Sequence, residues 1–218
     1  MISIGGGCLI PLVIPSVALA FIVGTAFVAA GRSGSDALAG SQARRFVRWD
    51  FPQFLANYVV MGGEVVSTDE ATGDTITLTG SGQAEPFEDE AAGGGTFVHR
   101  HDDGSIAASG IFRVIHFIRW TPLFGGSLAG TGLVDAIGNG TGAIPDESEE
   151  HSGILVMKVQ FVALKDGQPT GSVNGRLRIN CHLPGTTVFV PEGVVVRVPS
   201  FDLVFRPTSG VTLFHMLH

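Results

Sequence analysis

The sequence predicts an all-β fold, an antiparallel β-barrel or β-sandwich of about nine to eleven strands behind an N-terminal apolar helix. Three observations predict it. Beyond residue 60, apolar residues recur at every second position, the period of a half-buried strand. Short turn signals such as Asp102-Asp103-Gly104 and Lys165-Asp166-Gly167 separate these runs and favour antiparallel pairing. No stretch after the leader keeps the 3.6-residue period of an amphipathic helix.

The first element is the leader, residues 1–31, which carries no charged side chain. Residues 8–30 are apolar or small almost throughout, and as a helix they would reach ~34 Å, enough to cross a bilayer core of about 30 Å. This predicts a retained single-pass anchor or a cleaved signal, hence a membrane-anchored or secreted protein. Ala18-Leu19-Ala20 and Val28-Ala29-Ala30 offer small-residue cleavage sites, but no Lys or Arg precedes the apolar run. Arg32, Arg44, Arg45 and Arg48 follow it, and a retained anchor would keep the domain on the cytoplasmic side. Residues 32–45 are small and polar and read as a linker.

Residues 46–218 form the expected all-β domain. Its opening stretch, 46–60, is aromatic-rich and broken by Pro52, which predicts a short turn or helix packed on the domain. Strands follow at Thr75–Thr79, Thr96–His101 and Ser105–Trp120. Further strands are expected at 153–164, 171–183, 188–190, 194–198, 201–205 and 211–217. In 171–183, Leu177, Ile179, Cys181 and Leu183 share one face, and Arg176, Arg178, Asn180 and His182 share the other. Two Gly-rich acidic stretches, 80–95 and 125–152, read as loops, the second long enough to be mobile.

Composition excludes some functions. The net charge of −7 argues against a basic nucleic-acid-binding surface. There are only two cysteines, and Cys8 lies in the leader, so the domain has one thiol and no internal disulfide. Cys181 sits on an apolar strand face and reads as a small core residue, not a nucleophile. The run Gly138-x-Gly140-x-Gly142 lacks the strand and helix that a phosphate loop needs. Asp146, Glu147, Glu149 and Glu150 lack the ligand alternation of a dedicated calcium loop and read as a solvated acidic segment. Asn139-Gly140-Thr141 is a glycosylation sequon, relevant only in a eukaryotic secretory pathway.

The candidate metal ligands are His99 and His101. In a strand, residues i and i+2 point the same way, so both imidazoles can reach one ion. Two imidazoles alone leave a metal mostly with water ligands and predict weak, exchangeable binding. A hairpin closed by Asp103-Gly104 would pair His101 with Ile106 and His99 with Ala108, their face continuing through Phe112, Val114 and His116. His116 then lies eight residues beyond Ala108, roughly 26 Å away, out of reach of a shared site. Asp102 and Asp103 are nearer, but both suit the turn itself.

Gly93-x5-His99-x-His101 resembles the opening of the first cupin motif, and Gly185-x5-Pro191-x-Gly193 that of the second. That resemblance implies a metal-dependent β-barrel enzyme using His99 and His101. The first motif's glutamate is missing, and Val196 stands where the second motif has histidine. The stretch Gly93-Gly94-Gly95-Thr96-Phe97-x-His99, with Gly110-Ile111-Phe112 and Ser209-Gly210-Val211-Thr212-Leu213-Phe214, resembles a group of uncharacterised β-rich bacterial and fungal proteins over roughly residues 75–218. It implies a fold and no known activity. No catalytic residue and no cofactor is expected. The leading expectation is a non-enzymatic binding or structural β-domain, with a cupin-like enzyme and a β-barrel carrier of a small apolar ligand as alternatives.

Overall fold

A computed structural model describes residues 46–137 and 149–217. The leader, the linker, the Gly138–Gly142 run, the sequon, and Asp146 and Glu147 lie outside the described residues. So does the expected N-terminal apolar helix. Among the described residues no helix is long and apolar enough to cross a membrane.

The described residues are all-β. The strands are β1 (Phe46–Asp50), β2 (Gln53–Leu55), β3 (Tyr58–Val60), β4 (Val65–Asp69), β5 (Thr75–Glu85), β6 (Glu90–Arg100) and β7 (Ile106–Pro122). They continue with β8 (Val134–Asp135), β9 (Glu149–His151), β10 (Gly153–Lys165), β11 (Gln168–Cys181), β12 (Gly193–Val198), β13 (Leu203–Ser209) and β14 (Leu213–Leu217). A single 3-10 turn, Pro199–Phe201, sits between β12 and β13.

The large sheet is antiparallel and closes on itself. Its order runs β4-β13-β12-β11-β10-β7-β6-β5, and β5 pairs back with β4. Closure gives each of these eight strands a neighbour on both sides, which limits the unpaired backbone groups of an open sheet, although residues 168–175 of β11 pair only with β10. β5 is long enough to serve two neighbours on one edge. Residues 75–78 pair with β4, and residues 81–84 pair with β1. β14 and then β9 extend the sheet outward from β1. A small second sheet joins β2, β3 and β8.

Alternation places the core. Leu177, Ile179 and Cys181 are fully buried, as their strand period requires, and Arg176 and Arg178 face solvent. Asn180 departs from its expected polar face. It is buried, and its amide donates to the Pro191 carbonyl at 3.0 Å. Trp49, Phe51, Phe112, Phe205 and Phe214 are the large aromatic contributions to the interior.

Several expectations are corrected. Residues 46–60 hold β1, β2 and β3 in place of a turn or helix, because Val47 and Trp49 alternate inward and Pro52 merely separates β1 from β2. Residues 80–95 are mostly strand, not loop: β5 and β6 pair along their whole length to Glu85 and Glu90. The glycines there are a packing requirement. A Cβ on Gly82 or Gly93 would come within 2.7 or 2.9 Å of the Trp49 ring. Residues 125–137 are anchored: Leu128 and Ile137 are buried, and the Asp135 carboxylate pairs with the His215 ring. Residues 188–190 form no strand.

Candidate functional site

The site follows from the register of three strands. Ile76 of β5 lies opposite His99 of β6, and His99 lies opposite Ala108 of β7, as the hairpin pattern predicts. The register then slips, so that Arg100 and not His101 pairs with Ile106. His101 leaves the ladder, its backbone N–H donating to the Ser105 carbonyl at 2.9 Å. Extra residues at Ile115 and Ile118 shift β7 again, which turns Phe117 inward and leaves His116 exposed.

Both imidazoles converge on Asp74, the residue just before β5. Asp74 Oδ2 is 2.8 Å from His99 Nε2 and 3.3 Å from His101 Nδ1. One donor atom from each of the three residues lies within 4.8 Å of the others. Burial acts to raise the Asp74 carboxyl, but the hydrogen bonds and charges of His99 and His101 outweigh it and hold the group below its ordinary value.

The surrounding turns fix these groups. The Asp74 backbone carbonyl accepts the Asp69 N–H at 2.8 Å, and its N–H donates to Thr72 Oγ1 at 3.2 Å. The His99 ring stands edge-on to Phe205, with centroids 5.4 Å apart. Asp102 and Asp103 do not join the cluster. Asp103 Oδ1 accepts the Ser105 N–H at 2.8 Å and so serves the turn, and the Asp102 side chain lies over Gly73.

His99 also forms part of the wall of an apolar cavity of about 280 Å³. Phe97, Phe161, Val198 and Phe205 contribute further wall, and Ser172 is the other polar side chain lining it. Phe201, on the 3-10 turn, stands at the rim and is 66% exposed. The cavity therefore reaches the surface at one end of the strand ring.

The two cupin-like pieces do not meet. Gly193 opens β12, whereas the cavity takes Val198 from that strand's other end. Val196, at the missing histidine's position, is fully buried and paired with Phe205. His182 lies elsewhere, beside Glu192 in a second apolar pocket of about 220 Å³. Glu192 accepts the His182 N–H at 2.5 Å and the Thr212 N–H at 2.7 Å. Burial raises its carboxyl above the ordinary range against these bonds. Burial and the nearby Glu192 charge also push the Cys181 thiol well up, so the cysteine is poorly suited to nucleophilic work.

Asp74 is the member of this cluster that the sequence pattern does not reveal. Its approach to His99 depends on the β5–β6 register, which the Gly-rich 80–95 stretch conceals. No family model, curated protein or solved structure matches this chain.

Proposed function

We propose that the domain is a non-enzymatic binding module whose closed β-ring holds a small apolar ligand. The observation that carries this reading is the 280 Å³ cavity with apolar walls and only His99 and Ser172 as polar lining side chains. Its size falls just below the roughly 300–1,000 Å³ typical of ligand pockets and suits a small ligand. Burying apolar surface there contributes about 25 cal/mol per Å² toward binding, while His99 offers an orienting polar contact. The apolar 8–30 span adds attachment to a membrane, or export through one, to this reading.

The test is binding of a neutral naphthylamine dye to the full chain, read by fluorescence. Native protein should enhance the emission saturably. Ala108→Trp and Ala163→Trp, which place an indole in the cavity wall, should weaken dye binding by ~10-fold or more, about 1.4 kcal/mol. The exposed His116→Ala should leave it unchanged. Absence of saturable binding, or equal binding by the filled variants, overturns the reading.

A further inference from the structure

We propose that Asp74, His99 and His101 bind one divalent transition-metal ion at the edge of the apolar cavity. The proposal stands on the donor geometry and does not require the cavity to take an apolar ligand.

Metal–nitrogen and metal–oxygen bonds of about 2.0–2.2 Å place neighbouring ligand atoms roughly 3–3.5 Å apart in tetrahedral or octahedral sites. The Asp74 oxygen already lies 2.8 and 3.3 Å from the two imidazole nitrogens. Both carboxylate–imidazole distances are thus within a few tenths of an ångström of a coordination sphere, and the two imidazole nitrogens lie within 4.8 Å of each other. An ion takes the position between the donors and replaces the shared protons. Two neutral imidazoles and one carboxylate form a mixed nitrogen–oxygen set, which suits zinc, cobalt, iron or manganese and is poor for calcium.

The donors are also pre-positioned. Asp74 is held by its backbone bonds to Asp69 and Thr72, and the His99 ring is set against Phe205. Asp74 is 8% exposed, so its charge is little diluted by water. His101, with 56% of its side chain exposed, is the outer ligand and leaves a path for the ion. Such a site differs from a pair of strand histidines with water on every other position. It supplies three protein ligands and leaves at least one position open for water or a ligand oxygen. His99 belongs to both the metal set and the cavity wall, which puts that position beside the apolar bay.

The test uses the full chain after treatment with a chelator. Cobalt(II) is titrated in and followed by its visible d–d absorption, and zinc is titrated by calorimetry. One equivalent of each should bind, and zinc should raise the thermal unfolding midpoint by mass action. His101→Ala changes an exposed side chain and should fold normally while losing affinity by at least ~10-fold, the scale on which even outer-shell partners act. His99→Gln and Asp74→Asn should behave alike, and His116→Ala should bind as the native chain does. Circular dichroism of each variant establishes that it is folded. Lack of a stoichiometric site in the native chain, or binding that survives His101→Ala and His99→Gln, overturns the proposal. Because no dye is present, this outcome is independent of the apolar-ligand test.

Discussion

The Asp69 carboxylate accepts the Val204 backbone N–H at 2.6 Å, across the seam where β4 meets β13. Its other oxygen accepts the N–H groups of Ala71 and Thr72 at 2.9 and 3.1 Å. One buried carboxylate thus joins the closure of the strand ring to the turn that presents Asp74.

Asp69→Asn should therefore destabilise the domain by about 2–3 kcal/mol, since an amide cannot accept on both sides and hydrogen bonds to a charged group are the stronger kind. The Val204 bond, aided by Thr72 and Ala71 and opposed by burial, holds the Asp69 carboxyl below its ordinary value. A depressed pKa contributes stability above the unfolded value near ~3.9, and that stability is lost as pH falls through the folded value. Urea midpoints measured from neutrality into acid should show this decline in the native chain and a shallower one in Asp69→Asn. Equal midpoints at pH 7 would dismiss the role.

The parts of the fold legible in the sequence are those where one face meets the core and the other meets water. Leu177, Ile179 and Cys181 alternate with Arg176 and Arg178, and β11 follows directly. Gly80, Gly82, Gly93, Gly94 and Gly95 carry no such signal. At Gly82 and Gly93 the missing side chain is what allows Trp49 to lie against the β5–β6 pair, so the cause sits far from the effect in sequence. β1 is similarly hidden, because its partners are β5 and the C-terminal β14.

Gly93→Ala should cost about 2 kcal/mol or more. The backbone there has φ +131°, and an added Cβ would lie 2.6 Å from Gly82 Cα and 2.9 Å from the Trp49 ring. Gly171→Ala, where a Cβ meets open space at an ordinary φ, should cost far less. Chemical unfolding followed by tryptophan emission compares the two directly. Equal stability of both variants would show that Trp49 does not impose the glycine.

Cys181 should react with a thiol reagent only after unfolding, because it is fully buried and its thiol is held protonated by burial and by Glu192. Cys181→Ser should lower stability by roughly 1–3 kcal/mol through burial of a poorly satisfied hydroxyl. Labelling of the native domain at the rate of the denatured chain would contradict this placement.

The candidate metal cluster is only partly legible. The His-x-His spacing by itself puts both imidazoles within reach of one ion. The third donor belongs to a different turn, and Asp74 meets His99 only through the pairing of Ile76 with His99. Of the nearer aspartates in sequence, Asp103 accepts a turn hydrogen bond and Asp102 lies beside Gly73, outside the cluster. Proximity along the chain is a weak guide to ligands in a closed sheet, where neighbouring strands and the turns at their ends supply side chains to one site.

Glu192 provides a pH test of the opposite sign to Asp69. Burial raises its folded pKa, while the bonds from Thr212 and His182 pull the other way without cancelling the shift. A raised carboxyl pKa means that the folded state holds the proton more tightly than the unfolded chain. Stability must then fall as pH rises from the unfolded value near ~4.3 through the folded value, and level off above it. Each unit of upward shift corresponds to about 1.4 kcal/mol of this loss. Glu192→Gln removes the titration, so its stability should change less over the same interval, although it forfeits part of the grip on Thr212 and His182. Urea midpoints of the two proteins between about pH 4 and pH 8, a window that brackets the unfolded value, decide the matter. If the native and variant curves stay parallel throughout, Glu192 does not carry the burial penalty that its surroundings imply.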